Sequence, residues 1–240
     1  MPHTLFISDL HLGVDQPFSQ AAFKHFVTDI APAADALYIL GDLFEYWVGD
    51  DDIHDPFHAT IVASLRRLAA NGTKVYLLHG NRDLLMGQAL ADACQATLLE
   101  DPTLLDLYGT PTLISHGDTL CTDDVDYQRF RAQVHDAEFQ REFLAQPIAV
   151  RKAHVEQLRE ISIREKQNKD IEIMDVNDAA VARLLREYRY PRLIHGHTHR
   201  PNRHLHKVDG HDCERWVLGA WYQRGSALRC DAQGCRTLEF

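Results

Sequence analysis

The chain has 240 residues, with 35 acidic against 25 basic side chains and a formal charge of −10. That length can bury one substantial core with room for an insertion, and 45% hydrophobic with 25% charged residues is ordinary for a soluble globular protein. The acidic balance supplies no basic field to gather phosphates, which excludes general nucleic-acid binding.

Five short apolar runs each end on Asp, Asn or His. Thr4 to Ser8 leads into Asp9-Leu10-His11, and Ala36 to Leu40 into Gly41-Asp42. Val75 to Leu78 leads into His79-Gly80-Asn81-Arg82-Asp83, and Thr112 to Ser115 into His116-Gly117-Asp118. Leu193-Ile194 leads into His195-Gly196-His197-Thr198-His199. Runs of this kind predict buried strands, and open α/β sheets hold their ligand sites at the strands' carboxyl ends. One metal centre built from five strand ends is expected, with Asp42 in its middle. Fifteen histidines agree with metal chemistry.

Between the first two strands, Ser19 is expected to cap a helix over Gln20 to Ile30 that buries Phe23, Phe26, Val27 and Ile30. After Asp42, the acidic triplet Asp50-Asp51-Asp52 reads first as a solvated loop. A helix from Pro56 to Ala70 follows, ended by Asn71-Gly72. Arg82 is either a phosphate-binding fork or the ion-pair partner of Asp83. Asp118 is a candidate for fixing a histidine tautomer. Thr122 or Asp123 is expected to cap the next helix, with Asp124 near enough to touch substrate.

From Val125 to Tyr188 the pattern turns helical, with Pro147 the only proline. Residues 1–124 and 189–240 are therefore expected to form the core, and 125–188 an inserted helical cap. Phe130, Val134, Phe139, Phe143, Leu144 and Ile148 either pack on the core or face a lipid groove. Residues 151–169 carry six basic side chains against three acidic ones. That stretch reads as a membrane-surface or anionic-ligand element, or as a solvated helix face. Short alternating runs near Trp216, Leu228 and Leu238 predict closing strands.

The five cysteines are odd in number and lack C-x-x-C spacing, so neither a disulfide framework nor a structural zinc site is expected. No secretory signal or apolar run of about 18 residues is present. The expected place is the cytosol or the cytosolic face of a membrane.

Oxygen and imidazole donors without thiolate suit manganese or iron, with zinc open and magnesium less favoured. A central Asp42 can bridge two ions about 3.5–4 Å apart, an arrangement that hydrolyses phosphoesters and phosphoanhydrides. In this order, D-L-H, G-D, G-N-R-D, H-G-D and G-H-T-H resemble the calcineurin-like metallophosphoesterases, which implies a two-sheet α/β sandwich flanked by helices. G-D-L-F-E-Y-W-V-G-D-D-D, S-H-G-D-T-L-C-T-D-D, I-M-D-V-N and L-I-H-G-H-T-H-R-P narrow the resemblance. They are similar to the UDP-2,3-diacylglucosamine diphosphatase family of lipid A biosynthesis, over essentially the whole chain. Arg82 stands where many of the wider superfamily have histidine.

The resemblance implies two manganese ions, one held by Asp9, His11, Asp42 and His199, the other by Asp42, Asn81, His116 and His197. Asp42, His116 and Arg82 are the catalytic candidates. Asn81, Arg82, Asp124, Ser162, Lys166, Lys169 and His197 are the substrate contacts. Metal-activated water is implied to attack the α-phosphorus, giving UMP and 2,3-diacylglucosamine 1-phosphate. The implied protein is a monomer at the cytoplasmic side of the inner membrane, with acyl chains under the cap. Two other readings are a phosphoesterase for a soluble nucleotide or phosphodiester, with the cap packed shut, and a non-catalytic scaffold.

Overall fold

In the computed structural model, backbone is described for residues 1–168 and 174–240, and side chains up to 159 and from 174 onward. The first half runs β1 (Thr4–Ile7), α1 (Pro17–His25), β2 (Ala36–Leu40), α2 (Pro56–Ala70), β3 (Lys74–Leu78), α3 (Gln88–Cys94) and β4 (Ala96–Leu98). Next come β5 (Thr103–Leu107), β6 (Thr110–Ser115), α4 (Val125–Val134), α5 (Ala137–Leu144), α6 (Ile148–Asn168) and α7 (Asp178–Glu187). The chain closes with β7 (Arg192–His195), β8 (Asn202–Val208), β9 (His211–Val217), β10 (Ser226–Asp231) and β11 (Gly234–Glu239).

The strands form two sheets, ordered β11-β10-β1-β2-β3-β4 and β5-β6-β7-β9-β8. β1 to β4 are parallel, as are β6, β7 and β9, with antiparallel strands at the edges. Strand alternation sorts the apolar side chains between layers. Phe6, Leu40 and Leu78 of the first sheet meet Ile114 and Ile194 of the second in one buried cluster. Leu5, Ile7, Leu37, Ile39 and Leu77 point the other way, into a cluster with Phe23, Leu65 and Leu90 of α1, α2 and α3. On the far side, Val181 and Leu185 of α7 pack on Leu113 and Leu193. The fold is thus a two-sheet α/β sandwich with helices outside both sheets. α7, grouped with the insertion by its helical pattern, lays its apolar face on the second sheet.

Several local expectations are corrected. Helix α1 starts two residues before Ser19, with Pro17 in its first turn, where its missing N–H costs nothing. Ser19 is buried and donates to the Trp221 carbonyl at 2.7 Å. Phe26–Ile30 forms a wider π turn. Asp124, not Thr122 or Asp123, caps α4 by accepting from Tyr127 N. The disulfide expectation also fails, because Cys230 and Cys235 pair across the β10–β11 ladder, their Cα atoms 4.1 Å apart. Cysteine parity is blind to two residues that a hairpin sets opposite each other. Cys94, Cys121 and Cys213 are free and buried.

The acidic triplet is not a solvated loop. Asp50 accepts from Trp47 Nε1 and from the backbone N–H groups of Gly87 and Leu90. Asp51 pairs with Arg151, and Asp52 with Lys152 at 2.8 Å and His58 at 3.2 Å. The described half of the basic stretch is engaged as well, while Arg164, Lys166 and Lys169 lie outside the residues whose side chains are described. Arg151 is 1% exposed and also donates to the Val48 carbonyl. Lys152 reaches Asp55 at 3.0 Å, and Arg159 reaches Glu45 at 2.9 Å. These charges dock α6 on the loop after β2. Among the described residues no helix is long and apolar enough to cross a membrane.

Replacing Arg151 by Met leaves the buried Val48 carbonyl without its donor, an expected loss of about 1–3 kcal/mol. Amide hydrogen exchange should quicken in α5 and α6 while β1, β2 and β3 keep their protection.

Candidate metal centre

The candidate ligands sit where strands give way to turns, and most of those turns are left-handed. Asp9 (φ 55°), His11 (48°), Asp42 (52°), His197 (67°) and His199 (56°) all have positive φ. For residues with a Cβ this region is sparsely populated and carries a cost, which functional sites tolerate when the surroundings enforce it. These left-handed residues lie just past the ends of β1, β2 and β7, whereas Asn81 and His116 follow β3 and β6 without one.

Two glycines allow the strand ends to approach. A Cβ on Gly80 would lie 2.2 Å from Asp42 Oδ1, and one on Gly196 would lie 2.3 Å from Asp9 Oδ2. The glycines in H-G-N and H-G-H are therefore dictated by the groups packed against them, the Asp42 carboxylate at Gly80 and Ser8 Oγ with the Asp9 carboxylate at Gly196. Asp83 clamps the same corner. Its carboxylate accepts from Leu43 N and Gly80 N, both at 2.8 Å, and from Asp42 N at 3.2 Å. Burial and the nearby Asp42 charge push its pKa up to about 6. Asp83 is thus committed to the backbone, and its pairing with Arg82 is set aside.

All seven candidate ligands converge. Ligand atoms of Asp9, His11 and His199 lie within 4.8 Å of one another, as do those of Asp9, Asp42 and His116. Asp42 stands between the two histidine groups, its Oδ2 3.7 Å from His11 Nε2 and its Oδ1 3.9 Å from His116 Nε2. Asn81 Oδ1 lies 3.1 Å from His116 Nε2 and 2.9 Å from His197 Nδ1. His199 Nε2 lies 3.3 Å from Asp9 Oδ1 and 3.2 Å from His11 Nε2.

Several of these residues have one polar end tied and the other turned inward. Asp9 Oδ2 accepts from Ser8 Oγ at 2.7 Å and His197 N at 2.9 Å, while Asp9 Oδ1 is buried without a hydrogen-bond partner. His116 Nδ1 lies 2.9 Å from the Leu40 carbonyl, so in the neutral ring the lone pair is on Nε2, which faces the Asn81 oxygen. Leu40, rather than Asp118, fixes that tautomer. Asp118 instead accepts from Tyr127 Oη and Arg131 Nε. Two buried carboxylates and an amide oxygen converging on imidazoles call for positive charge, supplied by a metal ion or, in its absence, by a protonated imidazole.

The electrostatics favour positive charge in the site. Burial alone would lower the His116 pKa, but Asp42, Asp9 and Asp118 outweigh it and raise it to about 9. Burial also opposes ionisation of Asp9, yet the surrounding imidazoles, His199 first, hold its carboxyl well below the usual range. His197 is pushed down to about 4 by burial and by His116, so its lone pair stays available. His195 is buried outside the ring of donors. Its Nδ1 meets the Gly196 carbonyl at 2.9 Å and its Nε2 meets Arg215 at 3.1 Å.

The centre forms the floor of a cavity of about 510 Å³. His11, Asp42, Asn81, Arg82, His197 and His199 line its polar end. Phe130, Val134, Phe139, Phe143, Val155 and Leu158 of the insertion line its apolar end. Leu144 is 41% exposed and stays outside this wall. Asp124 is buried at the cavity edge. Ser162, Lys166 and Lys169 lie outside the residues whose side chains are described. Reading the sequence missed Glu45, 3.3 Å from His11 Nδ1, and Tyr222, stacked on the His11 ring with centroids 5.4 Å apart. Neither carries a local signal, because only the fold brings them beside residue 11.

Two stacked sheets that deliver oxygen and imidazole donors to one seam define a metallophosphoesterase. Residues 2–201 match the calcineurin-like phosphoesterase family. The chain is 51% identical over 230 residues to a UDP-2,3-diacylglucosamine hydrolase of Aromatoleum aromaticum, covering 96% of this chain and 94% of that protein. It is 47% identical over 237 residues to the Edwardsiella ictaluri protein of the same name, covering 98% and 91%. The chain belongs to the calcineurin-like phosphoesterases and, within them, to the family of UDP-2,3-diacylglucosamine hydrolases.

Substituting Asp83 by Ala strands several buried backbone N–H groups at once, with an expected stability loss of at least about 2 kcal/mol. Urea denaturation of the metal-free protein should show the shift directly.

Proposed function

We propose that this chain hydrolyses the diphosphate bond of UDP-2,3-diacylglucosamine, releasing UMP and 2,3-diacylglucosamine 1-phosphate for lipid A biosynthesis. One observation carries the reading beyond the relatives' names. A single cavity joins the carboxylate–imidazole floor to an apolar chamber under the insertion. A lipid-linked diphosphate needs both ends at once. A soluble substrate would leave the chamber without purpose, and a packed-shut cap would have no chamber.

The proposed cofactor is a pair of manganese ions, in keeping with oxygen and imidazole donors and no thiolate. Asp9, His11, Asp42 and His199 would hold one ion, and Asp42, Asn81, His116 and His197 the other. Ions bound there supply Lewis-acid polarisation of phosphoryl oxygens and a nucleophile at neutral pH. The rest falls to the chain. Arg82, a permanently charged fork on the cavity floor, would bind the diphosphate and the charge that develops at the phosphorus. The Leu40 carbonyl would hold the Nδ1 proton of a neutral His116, leaving the inward nitrogen to an ion that displaces its other proton. Asn81, Asp124 and His197 are proposed substrate contacts at the floor and rim, with Ser162, Lys166 and Lys169 along the insertion. The cap would exclude water around the acyl chains.

The boundaries proposed are a core of 1–124 and 189–240 with a cap of 125–188. The protein is proposed to act as a monomer on the cytoplasmic side of the inner membrane, peripherally bound. Arg151, Lys152 and Arg159 are engaged by acidic residues, so the lipid substrate supports the membrane reading better than that basic stretch does.

Purified protein in detergent should release UMP from UDP-2,3-diacylglucosamine with added manganese and stop with a chelator. Asp42→Ala and His116→Ala should each cut turnover by more than about a hundredfold, beyond the range for outer partners of a metal site. Hydrolysis of soluble phosphodiesters with none of the lipid substrate would overturn the lipid assignment.

A further inference from the structure

Glu45 lies in the loop after β2 and is 9% exposed. Its N–H donates to the Leu12 carbonyl at 2.9 Å, which pins the loop one residue past His11. The carboxylate then divides its oxygens. Oε2 lies 3.3 Å from His11 Nδ1, and Oε1 lies 2.9 Å from Arg159 Nε on α6, both as charge contacts rather than aligned hydrogen bonds. The other nitrogen of the His11 ring faces Asp42 and His199. One carboxylate therefore touches both a candidate ligand and the cap.

We propose that Glu45 is a positioning residue that couples the seating of the cap to the metal affinity of His11. The inference rests on the metal-centre reading above. A carboxylate against Nδ1–H holds an imidazole in the tautomer whose Nε2 lone pair is free, and makes that lone pair more basic. Left alone, a Glu side chain would sample other rotamers. Arg159 removes that freedom from the cap side, and its guanidinium keeps its charge throughout. The pair is shielded, with side chains 24% and 11% exposed, so water does not dissolve the link as it does for surface pairs. The other described anchors of α6, Arg151 with Asp51 and Lys152 with Asp52 and Asp55, end on carboxylates that touch no candidate ligand. The coupling is reciprocal by linkage. An ion at His11 favours the docked cap, and a docked cap favours the ion.

The test is manganese titration of the substrate-free protein, read by the electron paramagnetic resonance of free manganese. Wild type, Glu45→Gln, Arg159→Met, Arg159→Lys, Lys152→Met and the Glu45→Gln/Arg159→Met double variant are compared. Wild type should bind two ions. Glu45→Gln should weaken one of them by about 10–100-fold. Arg159→Met should weaken the same ion by a smaller factor, Arg159→Lys should recover part of it, and Lys152→Met should change nothing. The double variant should be no weaker than Glu45→Gln alone, because both changes break one chain of contacts. Unchanged affinity in Glu45→Gln, equal losses in Arg159→Met and Lys152→Met, or multiplying losses in the double variant would each overturn the coupling. A wild type that binds fewer than two ions would instead overturn the metal-centre reading, and this inference with it.

Discussion

The structure depends on keeping hydrogen-bond acceptors crowded together in a place water hardly reaches. Asp9 and Asp42 are buried, with His11 and His116 nearly as deep beside them. Left to themselves such groups would protonate, turn outward or separate, because an unpaired buried charge or acceptor is costly. The chain counters this by tying the outer ends. Ser8 and His197 N hold Asp9, Leu40 holds His116, and Glu45 stands behind His11. What remains facing inward is a set of carboxylate oxygens and imidazole nitrogens that needs positive charge, from a bound ion or from the proton on His116.

That demand reaches back into the sheets. To bring acceptors from both sheets to one seam, the strands must stop at the same level and turn at once. The left-handed residues at five of the seven candidate ligands do this, and glycine at 80 and 196 clears the space. Asp83 spends its carboxylate on the backbone of the loop carrying Asp42, which holds the bridging candidate steady. The apolar strands supply the rigidity against which such strain can be stored.

Much of this was legible in the sequence, for a physical reason. Buried parallel strands are continuous apolar runs, and a polar residue closing such a run five times over is hard to reconcile with packing alone. α2 was legible in the sequence, because Pro56 and Asn71-Gly72 mark its ends locally. The missed features involve partners far apart in the chain. Asp51 and Arg151 are separated by 100 residues, so the triplet looked solvated and α6 looked free. Glu45 beside His11 exists only because the loop after β2 runs along residue 12. The Cys230–Cys235 bridge follows from strand register, which cysteine counting ignores. Ser19 looked like a cap because serine before a helical pattern usually is one, and here the proline two residues earlier starts the helix instead.

The insertion closes the logic. A basic helix docked on an acidic loop places an apolar wall across from the polar floor, and the same loop carries the residue that backs His11. On the proposed reading, substrate enclosure and metal geometry would share this one set of charges. The most direct check of the central claim is anomalous diffraction at the manganese edge from crystals grown with manganese. The account predicts two peaks, one among Asp9, His11 and His199, the other among Asn81, His116 and His197, with Asp42 touching both. A single peak, or peaks away from Asp42, would contradict it.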